Sequence, residues 1–365
     1  MLVPMAAWAR AGIAAALWAA GLGAAADAAG ADTGAAAAQP WARHTIDASS
    51  QGADGVRPGD VNGDGWPDLV TGWEEGGVVR VYLHPAGDGA ALRKPWPAVT
   101  VGRVASPEDA VFMDVDADGA VDVVSSCEGD TQCMFVHWAP RDPARYLTPD
   151  AWTTQPIPAT AGRTMWMFAV PMQVDGAGGL DLVVGSKGED GLVGWLQCPA
   201  VPRNLDDWAL HPLRKAGWIM SLVEADMDGD GDSDVVASDR KGPDAGVFWL
   251  ENPGANAAAV PWAEHAIGAA GQEIMFLDVA DLNGDARRDV LAAVKPAEVA
   301  WFAGPDAAGE PWQARTIPVQ ATLGVGTAKS VRAGDLDRDG VLDLVYSCEH
   351  AHPPRRGVVW LRRGA

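Results

Sequence analysis

Aspartates recur in this 365-residue chain with a spacing that suits one chemistry, the wrapping of a hard divalent cation. Five segments carry Asp at position 1, Asp or Asn at 3, Asp at 5 and Asp at 9. They are Asp60-Asn62-Asp64-Asp68, Asp114-Asp116-Asp118-Asp122, Asp226-Asp228-Asp230-Asp234, Asp281-Asn283-Asp285-Asp289 and Asp335-Asp337-Asp339-Asp343. Calcium takes roughly six to eight oxygens, which alternating carboxylates on a tight turn and a backbone carbonyl near position 7 can supply. An EF-hand loop would close on a Glu between two helices, whereas these loops lie between short β-branched runs. The segment Gln173 to Asp181 lacks carboxylates at positions 1 and 5 and is expected to bind nothing. The expectation is about five structural calcium sites.

A second set shares that register. Fourteen residues beyond position 1 stand Glu74, Glu128, Lys187, Arg240, Lys295 and Glu349, all charged, with the acids in repeats 6, 1 and 2 and the bases in repeats 3, 4 and 5. Six residues before position 1 stand Asp54, Glu108, Met167, Met220, Met275 and Lys329; Trp73, Trp166 and Trp218 fall nearby, and Asp239, Lys241 and His350 join the ring. Aromatic rings with a polar rim suit the faces of sugars. Convergent acids and bases also suit proton transfer. In an elimination from a keto-sugar or acidic sugar, Lys187 and Arg240 would hold the anion while Glu128 or Glu349 removes the proton. The plainer alternatives are a solvated ring of ion pairs between repeats, and core packing for Trp166 and Trp218. No Ser/His/Asp elbow, GxGxxG or CxxC pair is present.

These residues are positioned by a repeat of about 54 residues. Trp41, Trp96, Trp152, Trp208, Trp262 and Trp312 each lead a strand, and an Asp-rich segment, a β-branched strand such as DLVTG and a Gly-led strand such as GVFWL follow. Short apolar runs, Gly/Pro/Asp turns and the lack of a long 3.6-residue period predict β structure throughout. Four strands per repeat and six repeats predict an all-β, six-bladed β-propeller over residues 41–365, its last blade completed by the N-terminal strand WARHTI. Strand alternation then puts the charged ring on the face opposite the Asp loops. The repeated His44, His211 and His265 are expected to be packing residues.

The DxDGDGxxDLV element with Gly-led strands resembles the FG-GAP/VCBS repeats of integrin α-like propellers, over nearly all of the chain beyond residue 40. That family often has seven blades, whereas six are counted here. The resemblance implies calcium in the loops and leaves three functions open: carbohydrate recognition, a sugar lyase or dehydratase like the aldos-2-ulose dehydratase propellers, or a protein-binding adhesion module with a cell-surface partner.

Residues 1–26 read as a signal peptide, with Arg10 ahead of an apolar run too short for a membrane span, and residues 27–40 as a flexible lead-in. A secreted or periplasmic location follows. A formal charge of −22 excludes a nucleic-acid or anionic-membrane partner held by a basic surface. Export permits oxidation of Cys127, Cys133, Cys198 and Cys348; Cys127 with Cys133 is the preferred pair, against free thiols.

Overall fold

Continuous apolar runs such as Val-Val and Leu-Val after each Asp loop make strands that are buried on both faces, and the fold is a stack of such strands. The structure, a computed structural model, describes residues 46–86, 91–305, 311–319, 327–335, 340–349 and 358–363. The segment read as signal peptide, the lead-in and most of the strand WARHTI lie outside them, as do Asp337, Asp339 and His350.

The described residues form six antiparallel sheets. Sheet 1 holds β1 (Ala53–Gly59), β2 (Asp68–Trp73), β3 (Val78–Tyr82) and β4 (Ala98–Gly102). Sheet 2 holds β5 (Pro107–Met113), β6 (Asp122–Cys127), β7 (Cys133–Trp138) and β8 (Thr153–Pro156). In sheet 3 are β9 (Met165–Met172), β10 (Asp181–Lys187), β11 (Leu192–Gln197) and β12 (Ala209–Lys215). Sheet 4 follows with β13 (Ile219–Ala225), β14 (Asp234–Asp239), β15 (Gly246–Glu251) and β16 (Ala263–Gly268). Sheet 5 has β17 (Ile274–Ala280), β18 (Asp289–Val294), β19 (Glu298–Ala303) and β20 (Gln313–Pro318). Sheet 6 shows three strands, β21 (Thr327–Gly334), β22 (Asp343–Glu349) and β23 (Val358–Leu361). The only helices among the described residues are short 3-10 turns.

The core lies between consecutive sheets. Val124, Val136 and Trp138 of sheet 2 pack with Ala169, Leu182 and Leu196 of sheet 3, and Val183, Val193 and Trp195 of sheet 3 pack with Leu222, Val235 and Phe248 of sheet 4. Every residue of β6, β14 and β18 is buried. Gly72 shows why a side chain is excluded at one close approach: a Cβ there would run into the Pro107 carbonyl of the next sheet.

Three of the fourth strands, β4, β12 and β16, also reach the sheet that follows. Six residues after the leading Trp, Gly102 on β4 abuts His137 of β7, Arg214 on β12 lies 3.9 Å above the Phe248 ring of β15, and Gly268 on β16 abuts Phe302 of β19. Asp47 stands at the same offset from Trp41, and its carboxylate accepts from Arg80 of β3 at 2.6 Å and from the Tyr82 hydroxyl at 2.9 Å.

The first strand of every sheet is interrupted by a β-bulge. The register with the second strand shifts between Asp54 and Val56, Pro107 and Asp109, Ile219 and Ser221, Ile274 and Leu277, and Ala328 and Ser330; in sheet 3 it shifts opposite Gly185/Ser186, at Met167. An extra residue breaks the two-residue alternation and re-aims a side chain.

Candidate functional site

The position-9 aspartates do more than end a loop. Asp68, Asp122, Asp181, Asp234 and Asp289 are buried, and both oxygens of each accept backbone N–H groups. One donor is the residue after position 1: Val61, Val115, Val174, Met227 and Leu282, at 2.8–3.2 Å. The other lies just past the third strand: His84, Ala139, Cys198, Asn252 and Gly304, at 2.7–2.9 Å. In sheet 6 Asp343 accepts from the Arg363 N–H at 2.9 Å. Each Asp thus clips its loop to the sheet, a role the spacing alone did not reveal. Burial pushes Asp122 up to about 7, and Asp181 and Asp234 to about 6, against the pull of those N–H bonds.

The remaining loop carboxylates form donor sets that fit a hard cation. Oxygens of Asp114, Asp116 and Asp122 lie within 4.8 Å of one another, as do those of Asp226, Asp228 and Asp230. Asp60 and Asp281 accept loop N–H groups from Asp64 and Asp285, each at 3.0 Å, which fixes the same tight turn; Asp335 accepts from Gly340 at 2.9 Å. Asn62 and Asn283 bond to Asp64 and Asp285. Arginines meet two of the loops: Arg203, from beyond β11, contacts Asp116 and Asp118, Arg141, from beyond β7, lies 2.7 Å from Asp118, and Arg287 within its own loop lies 2.5 Å from Asp285. In the third repeat the Gln173 amide donates to the Gly179 carbonyl at 2.8 Å, and Gln197 holds Asp175 at 2.6 Å. A neutral donor there closes the turn.

At the other ends of these strands lies a cavity of about 450 Å³. All six first strands or the residues just before them line it, through residues that include Asp54 and Arg57, Glu108 and Asp109, Met167 and Phe168, Trp218 and Met220, Phe276, and Lys329 and Arg332; Arg240 joins from the end of β14. The bulges account for this convergence, since Gly55, Glu108, Met167, Met220, Phe276 and Lys329 all fall at register breaks and all line the cavity. The ring residues hang from one recurrent bond: the N–H groups of Glu74, Glu128, Arg240 and Lys295 donate to carbonyls of Gly52, Ser106, Trp218 and Glu273, at 2.7–3.1 Å.

One wall is acidic. Carboxylate oxygens of Asp54, Glu74 and Glu108 lie within 4.8 Å of one another. Lys187 is 3.2 Å from Glu108 and contacts Glu128. Burial, with the hydrogen bond to Glu128 behind it, pushes Glu108 up to about 8. Burial also raises Glu74, helped by the charges of Glu128 and Asp54. Burial works to raise Glu128 too, but hydrogen bonds to Glu108 and Lys187 outweigh it and hold Glu128 below the usual carboxylate range. Glu108 is thus raised and Glu128, in contact with Lys187, lowered.

Trp218 also lines the cavity, and Lys187 joins it to the acidic cluster. Lys187, Arg240 and Lys241 each lie 4.6 Å from the Trp218 ring, so cations occupy its aromatic surface. Its indole N–H is buried without a hydrogen-bond partner. Arg240 lies 3.3 Å from Glu273, Arg332 3.1 Å from Asp278, and Lys329 sits 5.7 Å over Phe276. Below them Arg57 grips Asp109 bidentately at 3.0 and 2.8 Å and lies 3.9 Å above the Phe168 ring.

Several expected ligand residues are placed elsewhere. Trp166 is fully buried and donates to the Thr160 carbonyl at 3.0 Å, so it is core. Trp73 is buried and donates to the Tyr82 hydroxyl at 2.8 Å. Asp239 is 1% exposed, and its oxygens accept from Arg214 at 3.0 Å and from the Gly217 and Trp218 N–H groups; it shapes the Trp218 loop. Lys295 stays outside the cavity lining, and of Glu349 the structure gives the backbone pairing with Thr327. Cys127 and Cys133 face each other across β6 and β7 but are free thiols, so the preferred disulfide is absent. Arg57, Asp109, Phe168, Phe276 and Arg332 were not anticipated; their signal is a position one to three residues beyond the register that gave Asp54, Glu108, Met167, Met275 and Lys329.

The profile of the FG-GAP-like repeat matches residues 60–125, 226–292 and 281–346, a little over half of the chain. Comparison with curated proteins gives no match. Among solved structures, the biofilm matrix protein Bap1 of V. cholerae is similar, with 14% sequence identity and a TM-score of 0.46 over 80% of this chain. The likeness spans 43% of that protein's chain. The matched segments run from one Asp loop into the strand after the next and leave out the third loop, the one that lacks its carboxylates; by this repeat the chain belongs to the FG-GAP-like repeat family.

Proposed function

We propose that this is an exported six-bladed propeller, stabilised by calcium in five Asp loops, that binds a small polar ligand of the carbohydrate class in its central cavity. The observation that carries the reading is a cavity of about 450 Å³ to which the first strands of all six repeats contribute. Ligand pockets of this kind are concave, with apolar walls and a few convergent polar groups. Met167, Phe168, Met220 and Phe276 supply the apolar wall, and Asp54, Glu108, Arg240 and Lys329 supply the polar one. The proposed ring closure is supported by Asp47, which meets β3 as Arg214 of the fourth strand β12 meets β15. Domain limits of 1–26, 27–40 and 41–365 follow from this reading. No described helix is long and apolar enough to cross a membrane.

Calcium is the cation that the loops fit by the chemistry of their donors. Asp and Asn oxygens at positions 1, 3 and 5 would hold it, and its charge would relieve the repulsion of carboxylates within 4.8 Å. Their distance along the strands from the cavity makes the ion structural.

A second reading, a sugar lyase, is favoured by the opposed shifts of Glu108 and Glu128 across Lys187. Glu128 would take the proton beside a carbonyl, the electron pair would form the new double bond, and the departing hydroxide would leave as water with the Glu108 proton. A screen of neutral, acidic and keto-sugars, read by thermal shift and ultraviolet absorbance together, separates the two. A melting shift without new absorbance supports binding alone. New absorbance that is lost in Glu128→Gln supports the lyase, and silence in both removes the small-ligand reading in favour of a protein partner.

A further inference from the structure

The chain carries 49 acidic residues against 27 basic ones, yet the lining of the cavity runs the other way. Four cations, Arg57, Arg240, Lys329 and Arg332, line it against three carboxylates, Asp54, Glu108 and Asp109. Arg57 and Asp109 satisfy each other through their bidentate pair. Among the rest the signs are segregated by repeat. Asp54 comes from β1 and Glu108 from β5, whereas Arg240 follows β14 and Lys329 and Arg332 stand on β21.

The two remaining arginines are held in a way that leaves donors open. Arg240 lies 4.6 Å from the Trp218 ring and gives its Nε to Glu273 at 3.3 Å, while its two terminal nitrogens make no hydrogen bond among the described residues. Arg332 engages only Nη1, with the Leu277 carbonyl at 2.9 Å and Asp278 at 3.1 Å. Glu273 and Asp278 stand outside the cavity lining, and the Glu273 side chain is 47% exposed, so water weakens its hold on Arg240. Lys329 sits 5.7 Å over the Phe276 ring. A guanidinium with open terminal N–H groups offers a fork that matches a carboxylate, and charge-assisted bonds of this kind are the strong ones.

A neutral sugar would bond to the acids of repeats 1 and 2 and leave these donors without a charged acceptor. A ligand with several anionic groups would be repelled by Asp54 and Glu108. One carboxylate with adjacent hydroxyls suits both sets. We propose that the cavity takes an acidic sugar of the uronate class, its carboxylate bound by Arg240, Lys329 and Arg332 and its hydroxyls by Asp54 and Glu108. This rests on the cavity being the carbohydrate site proposed above.

The test is calorimetric titration of the full chain, in calcium, with glucuronate, galacturonate, glucose and succinate, repeated at raised salt. The uronates are expected to bind at least about tenfold tighter than glucose, to weaken as salt is raised, and to lose at least about tenfold in folded Lys329→Met or Arg240→Gln. The comparison of uronates with glucose on the unaltered chain needs no variant to fold. Glucose bound as tightly as the uronates would overturn the carboxylate seat and leave the carbohydrate cavity standing. Succinate bound as tightly as the uronates would uphold the anion seat and overturn the sugar. Uronate binding unchanged in both variants would overturn the seat, and no binding by any of the four would overturn both seat and cavity site.

Discussion

At the scale of single residues, the position-9 aspartate carries the sharpest lesson. Its repeat was visible as a run of metal ligands, yet Asp181 is clipped in the same way in the one loop that lacks carboxylates at positions 1 and 5. Asp181→Asn would turn an amide nitrogen toward one of two backbone donors and leave it unsatisfied. A loss of about 1–3 kcal/mol is expected in urea unfolding, with or without calcium. Glu108 gives a pH signature. Folded, it keeps its proton up to about pH 8, whereas its ordinary value is 4.5. Its contribution to stability is whole below the lower value and is lost as pH rises through the upper one. Glu108→Gln should match the parent in melting temperature near the lower value, gain on it steadily as pH rises, and level off above about 8. Charged ring residues were legible because six fell at one spacing. What each touches was not, because Asp239 and Trp166 differ from true cavity residues only in burial.

At the scale of elements, the Asp loops and Gly-led strands were legible because turn residues and β-branched runs alternate at a fixed period. The bulges were not. A bulge inserts one residue without a composition of its own, and it is the bulge that places Glu108, Met167, Met220 and Lys329 around one cavity. The reading of residues six before each loop found these positions by count alone. The third loop offers a constructive test of the metal reading. Gln173→Asp together with Ala177→Asp restores carboxylates at positions 1 and 5, and bound calcium should rise by one ion per chain in metal analysis after dialysis. Asp226→Ala should lower it by one, while an unchanged count in both would show that these loops do not hold the ion.

At the scale of the whole molecule, six similar sheets each bury their faces against their neighbours, so the ends of the series must either meet or stay exposed. The contact of Asp47 with Arg80 and Tyr82 is the one the proposed closure requires. Excess chelator should lower the melting temperature by several degrees, since a ligand bound only to the folded state at a hundred times its dissociation constant adds about 2.7 kcal/mol. In the proposed ring the cavity is where all six repeats meet, and a ligand there should be sensitive to filling it. The most direct measurement is a binding titration of the sugar panel against the parent chain and against Met167→Trp, whose larger side chain would enter the cavity from a half-buried position. One ligand per chain, bound by the parent and at least tenfold weaker in the folded variant, is the predicted result. Undiminished binding in Met167→Trp would contradict a site in the central cavity.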